Sequence, residues 1–446
     1  MHKKNQPSRT LSGFDVVCLI AGMLIGAGIF KAPSVVASHM ASGAEFIMVW
    51  VMGGLISMVG ALCYAELAAT YPSAGGEYHF LSRAMGRHVA FFHAWSKTTV
   101  ITTGSIAILA FTLGDYMTVI YPLGEYSSFI WAGGTIVFLT LVNLWGIRQT
   151  KWTLNALTIA EILGILAIVY AGFSKSEMGS LAELLQRQSA SSSYGLAMVF
   201  VLLAYGGWNE AAYLSAEVKD DRHGIAKSLL WGLGVVTVLY CLTNFAYIST
   251  LGLAGLGQSQ AVAYDVFIKA FGKESAMVFS VIVILSCLNS LQATMVLGAR
   301  SGFALGRDYR VFAWLGHWHP SGHPRNSLMV QSMASLAVVL MAVRTRQGFE
   351  TVVEFTAPVF WCFILLVGVA LLKLRQSDPD TPRPFKVPFF PVLPMVFIAV
   401  TGWMLWSSLL YTGKGAWVGV LVLLSGVLPL WLNRLRYKND LGVHAA

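Results

Sequence analysis

Leu24-Ile25-Gly26-Ala27-Gly28-Ile29-Phe30 lies at the middle of an apolar run from Val16 to Val36. The run is long enough to cross a bilayer, which takes about 20 residues at about 1.5 Å each. Its centre carries two glycines one residue apart, with Pro33 following. Glycine weakens a helix by about 1 kcal/mol relative to alanine, and unpaired backbone in lipid costs several kcal/mol per group. A break here is tolerated where protein or a solute supplies the missing partners. An unwound turn at that depth presents N–H groups and the positive end of a half-helix, which suits a carboxylate. The same glycines also suit close helix packing, and this stretch alone leaves both readings open.

The rest of the chain decides the setting. Hydrophobic residues make up 56% of the 446 residues and charged residues 11%, against about 25% charged in soluble domains. The chain therefore reads as embedded in a lipid bilayer, and the first apolar run as a span rather than a cleaved signal. Twelve spans are expected, at 13–37, 44–70, 89–119, 127–146, 152–173, 194–217, 226–252, 274–305, 327–345, 350–374, 388–410 and 414–433. With the N-terminus cytoplasmic, 21 Lys and Arg fall on the cytoplasmic side and 8 outside, and Lys97 lies within a span. This asymmetry obeys the positive-inside rule and accounts for the net charge of +9 without nucleic acid. Both termini are expected in the cytoplasm. The five cysteines, Cys18, Cys63, Cys241, Cys287 and Cys362, all lie in apolar runs and read as small core residues.

A second interrupted span gives the first its meaning. Span six reads Leu203-Ala204-Tyr205-Gly206-Gly207-Trp208-Asn209 at mid-depth. Gly-interrupted segments at corresponding positions of two halves point to a transporter's binding site. Spans one and six have opposite ranks, so the repeat is inverted. N–H groups on one side and half-helix carbonyls on the other fit a zwitterion.

Charged and polar residues within the spans supply the other candidates. Glu161, near the centre of span five, is an intramembrane carboxylate and so a candidate proton carrier or cation ligand. Ser286, Ser290 and Thr294 fall on one helical face of span eight beside Asn289 and Gln292; a packing stripe of small residues explains them equally well. Lys97, about two turns from the cytoplasmic end, is expected to snorkel. Glu66 and Glu77 are expected to pair with Arg or Lys of nearby loops. Tyr71 to Tyr78, with Pro72 and Gly75-Gly76, reads as a polar loop. Thr381-Pro382-Arg383-Pro384-Phe385-Lys386-Val387-Pro388 reads as extended backbone. A Gly-x-x-x-x-Gly-Lys-Ser/Thr loop is absent from the sequence, so ATP is not expected to drive the chain. His317-x-His319 lacks acidic or Cys partners at zinc spacing, so neither a metal site nor an enzyme is expected.

Four segments in order carry a resemblance: Gly26-Ala27-Gly28-Ile29-Phe30, Tyr64-Ala65-Glu66-Leu67-Ala68 with Gly75-Gly76-Glu77-Tyr78, Ala204-Tyr205-Gly206-Gly207-Trp208-Asn209, and Arg383-Pro384-Phe385-Lys386-Val387-Pro388. Over roughly residues 10–435 the chain resembles bacterial members of the amino acid–polyamine–organocation superfamily, nearest the L-type amino acid transporter branch. The resemblance implies an all-α polytopic fold of the LeuT type, with helices one and six broken. One transporter domain, 1–435, would comprise a five-helix repeat at 10–173, its inverted partner at 194–374 and two added helices at 388–433, with a cytoplasmic tail at 436–446.

The resemblance also implies a site. Backbone N–H groups at Ala27, Gly28 and Ile29, beside Gly26, would hold a substrate carboxylate. Carbonyls at Ile25, Leu203, Ala204 and Gly206 would hold its amine, with Trp208 and Asn209 beside them. Leu203 stands where relatives often carry a capping Phe. Glu161 stands about where relatives often carry a Lys, so Glu161 with Ser286 becomes an expected Na⁺ or H⁺ coupling site, with no other cofactor or metal. Residues 115–128 hold no Cys, so no disulfide-linked heavy chain is expected. The function implied is secondary active transport of amino acids across the inner membrane, with a polyamine permease or an amino acid exchanger as the alternative. A polyamine ranks second because Glu161 is the one acidic residue expected at mid-membrane.

Overall fold

Ser42 shows how locally these helices are set: its side chain accepts the N–H of Glu45 (3.3 Å), capping a 28-residue helix over Gly43–Thr70. A computed structural model describes residues 22, 24–26, 28–73, 75–145, 151–174, 186, 191–210, 223–319, 324–343, 348–411 and 413–436. Among these residues the regular structure is helical throughout, with no strand. In chain order the helices are α1 (Gly28–Ser38), α2 (Gly43–Thr70), α3 (Gly76–Met85), α4 (Arg87–Ile120), α5 (Ser127–Leu144), α6 (Lys151–Ser174), α7 (Tyr194–Ala204) and α8 (His223–Gln258). There follow α9 (Val262–Phe271), α10 (Lys273–Asp308), α11 (Arg325–Ala342), α12 (Gly348–Ser377), α13 (Val392–Tyr411), α14 (Gly413–Ser425) and α15 (Val427–Arg436).

Nine helical stretches among the described residues are long and apolar enough to cross a bilayer, which makes the chain a polytopic membrane protein. α4 is the central post, with 83% of its apolar window buried. α10, α5, α11 and α12 all pack on it. Only 28% of the α5 window, 33% of the α13 window and 17% of the α14–α15 window is buried, so these helices form the rim. Their exposed side chains, including Val137, Phe138, Trp406, Trp417 and Leu421, are apolar and face lipid. α2 lies along α8, and α13 along α12.

Sequence reading and structure differ at three places. The polar loop after α2 ends early, because Gly76–Met85 is helical: Glu77, Phe80, Leu81 and Ala84 are buried on one stripe. A second short helix, α9, occupies the connection between α8 and α10 and buries Val262, Val266 and Ala270 at four-residue spacing. α8 itself runs to Gln258, past the expected end at 252, with a kink at Gly252 (φ 69°) that glycine alone adopts easily. The expected tail at 436–446, beyond Arg436, and most of 174–193 lie outside the described residues.

Candidate functional site

Helix α1 begins at Gly28, and Ile25 and Gly26 before it form a bend outside any helix; the Gly26 N–H bonds back to the Leu24 carbonyl at 2.8 Å. α7 ends at Ala204 and is followed by a turn through Gly207 (φ 115°) into a short 3-10 segment, Trp208–Glu210. The two interruptions meet. A Cβ placed on Gly28 would lie 2.7 Å from the Cα of Ala204, so no larger residue fits between the segments. The leading N–H groups of a helix, here including Gly28 and Ile29, lack intrahelical acceptors. A hydroxyl from α8 joins both interruptions: Tyr240 donates to the Leu24 carbonyl at 2.5 Å and reaches the Ala204 carbonyl at 3.4 Å.

A cavity of about 200 Å³ opens beside this crossing. Its volume exceeds the roughly 150 Å³ that admits benzene to an engineered cavity. Of the expected site residues, Gly26, Gly28, Leu203, Ala204, Gly206 and Asn209 line it. Ala27 lies outside the described residues. Ile25 and Ile29 are fully buried and do not line it. Trp208 turns away: its ring packs edge-on against Tyr64 (5.0 Å) and Phe397 (6.2 Å), under Gly60. The cavity is apolar at one end, where Phe200 and Phe349 stack at 6.0 Å. Lys31 of α1 pairs with Asp115 of α4 at 2.8 Å and reaches the Gln260 side chain at 3.2 Å.

The hydroxyl face of α10 points to this cavity and to α6, rather than serving packing alone. Ser290 and Thr294 line the cavity. Ser286 and Asn289 donate to Glu161 Oε1 at 3.1 and 3.3 Å. Glu161 is 3% exposed, and its second oxygen has no partner; Asn289 Oδ1 and Ser290 Oγ are likewise buried and unpartnered. These three bare atoms sit on neighbouring turns at the α6–α10 contact, and each can accept a donor or ligate a cation.

At the opposite end the expectation for Lys97 fails. The side chain does not snorkel: it is 4% exposed and sits at the first residue of a π-helical turn, Lys97–Ile101. Such turns recur at functional sites. Its ammonium pairs with Glu210 at 2.5 Å and with Glu77 at 3.4 Å. Glu77 also accepts from Tyr64 (2.6 Å), Asn209 (3.3 Å) and the His93 Nε2 (3.1 Å). Burial alone would raise the Glu77 carboxyl, but the Lys97 ammonium and the hydrogen bonds outweigh it and hold the group well below the usual carboxylate range. Glu66 is fully buried and takes a bidentate pair from Arg375 (2.7 and 2.6 Å) together with the Val387 N–H (2.7 Å). The Pro-rich loop after α12 is thereby docked onto α2. Sequence reasoning missed Lys97, Glu210, Thr102 and Ser105 as cavity-lining residues; the one available signal was Glu210, directly after the Gly-Gly interruption.

Two interrupted helices crossing beside a cavity, within a bundle of apolar spans, define a solute transporter of the membrane. The chain belongs to the amino acid permease family, whose pattern matches residues 11–427, within the superfamily that the four segments suggested. It is 26% identical over 432 residues to the mouse b(0,+)-type amino acid transporter 1, covering 93% of this chain and 86% of the relative. It is 27% identical over 441 residues to the human cystine/glutamate transporter, covering 96% and 86%. It is 24% identical over 425 residues to the serine/threonine exchanger SteT of Bacillus subtilis, covering 94% and 95%.

Proposed function

We propose that this chain carries α-amino acids across the cytoplasmic membrane by alternating access. The observation that carries the reading is the crossing of Gly28 and Ala204 at the cavity wall. It sets the unpaired N–H groups of one half-helix beside the carbonyl end of another, and a carboxylate and an ammonium on one carbon fit that pair of ends. Family membership supports the same reading. We further propose the LeuT-type architecture: twelve spans, two inverted five-helix repeats and both termini cytoplasmic, in the inner membrane. Spans one and six would rock together against the remaining helices. Glu161 with Ser286 is the proposed coupling site, for H⁺ or Na⁺, and we propose no disulfide-linked partner chain. Exchange is the second reading, favoured by similarity to a serine/threonine exchanger.

The test is uptake of the twenty amino acids into liposomes holding the purified chain, with a Na⁺ gradient, a pH gradient, or internal amino acid alone. Uptake of at least one class, lost in Gly26→Leu and Asn209→Ala with the protein still folded, is expected. Normal uptake in both variants sinks the site assignment. Uptake requiring only internal amino acid selects exchange over ion coupling.

A further inference from the structure

Among the described residues Glu77 and Glu210 share the single ammonium of Lys97. His93 also reaches Glu77 through its Nε2, while its Nδ1 is buried without a partner. The two carboxylates differ. Glu77 is 4% exposed and takes hydrogen bonds on both oxygens, from Tyr64 and Asn209 on one and from His93 and Lys97 on the other. Glu210 is 29% exposed, and Lys97 and Asn209 both engage its Oε1, leaving Oε2 without a hydrogen bond. Glu210 lines the same cavity as Gly26, Gly28 and Ser290.

We propose that Glu210 is a specificity-determining residue, whose open Oε2 receives a cationic group at the far end of the substrate. The cavity then selects α-amino acids with an ammonium or guanidinium side chain over neutral ones of equal length. This rests on the amino acid reading above and names the substrate class for that site. Three observations favour a cation over an anion. Lys97 is already claimed by two carboxylates and is nearly inaccessible, so it cannot serve an anionic side chain. Glu210 keeps one oxygen open. The bare buried amide oxygen of Asn289, which also lines the cavity, can only accept hydrogen bonds. The structure also corrects the expectation that left Glu161 as the one acidic residue near a second ammonium.

The experiment is titration calorimetry of the full chain in detergent with lysine, norleucine, glutamate and cadaverine, for the natural sequence, Glu210→Gln and Glu210→Asp. Norleucine carries the lysine side chain without its ammonium. Lysine is expected to bind about tenfold tighter than norleucine, a difference of about 1.4 kcal/mol. In Glu210→Gln that ratio collapses toward one with norleucine affinity unchanged, and Glu210→Asp retains part of it. Norleucine binding as tightly as lysine, glutamate binding tightest, or a ratio that survives Glu210→Gln overturns the proposal. Equal loss of lysine and norleucine in Glu210→Gln also overturns it, since a merely structural partner of Lys97 would behave so. Binding of any α-amino acid without charge preference leaves the transport reading standing and this one fallen. Glu210-dependent binding of cadaverine without lysine does the reverse, keeping the cation site and removing the amino acid.

Discussion

Gly28 tolerates no side chain in the site. A side chain there meets the Ala204 backbone within 2.7 Å, and backbone cannot rotate aside as a side chain can. Gly28→Val is therefore expected to abolish substrate binding while leaving the helices intact, as judged by ligand titration beside circular dichroism. Glu161 is expected to behave differently. Its neutral isostere in Glu161→Gln keeps the Ser286 and Asn289 contacts but removes the charge, so substrate binding should persist while dependence of uptake on Na⁺ or pH disappears. Unchanged ion dependence would remove Glu161 from the coupling role. Glu77 carries a pH signature with a definite sign. Its folded-state carboxyl is held below the ordinary value of 4.5, so its contribution to stability is present above that value and fades as pH falls below it. Melting of Glu77→Gln should lie below the natural chain at pH 7, and the gap should narrow in acid.

Among the elements, the ten-residue helices α3 and α9 were not legible in the sequence, whereas nine of the twelve expected spans recur as long apolar helices among the described residues. A span announces itself by an apolar run of the right length, whereas α3 is a ten-residue stripe whose buried face includes a charged residue, Glu77. The interrupted spans were legible because glycine pairs stand out against an apolar background. The Lys97 cluster was not, because Glu77 is 20 residues away and Glu210 113. Depth counted along one helix says nothing about what another helix brings to it. The docking of the Pro-rich loop belongs to this scale as well. Glu66→Ala would strand Arg375 and free the Val387 N–H, and removing one partner of a buried pair costs about 3–5 kcal/mol. A lowered melting temperature in detergent, with faster proteolysis between α12 and α13, is the expected result. An unchanged melt would mean that the pair contributes little.

Across the whole molecule, we read the cavity as lying between two closures of different chemistry. One is the Phe200–Phe349 stack, with the Lys31–Asp115 pair as its proposed latch. The other is bordered by Lys97, Asn209 and Glu210, where Glu210 remains partly open. Alternating access requires each closure to yield in turn. Asp115→Asn weakens the first, so a cysteine placed at Ala32, on the cavity wall, should react faster with an impermeant thiol reagent applied from that side. Equal reaction rates with and without the substitution would show that the aromatic stack alone holds the end shut.

The Tyr240 hydroxyl has one hydrogen and two carbonyls within reach, one on each interrupted segment. When the segments part, the hydrogen can pass from one acceptor to the other without ever being stranded in an apolar interior. A hinge built this way needs no water to lubricate it: the donor is handed across like a baton. Tyr240→Phe takes the baton away and leaves both carbonyls bare, so the cost should fall on the rate of the conformational cycle more than on the strength of substrate binding.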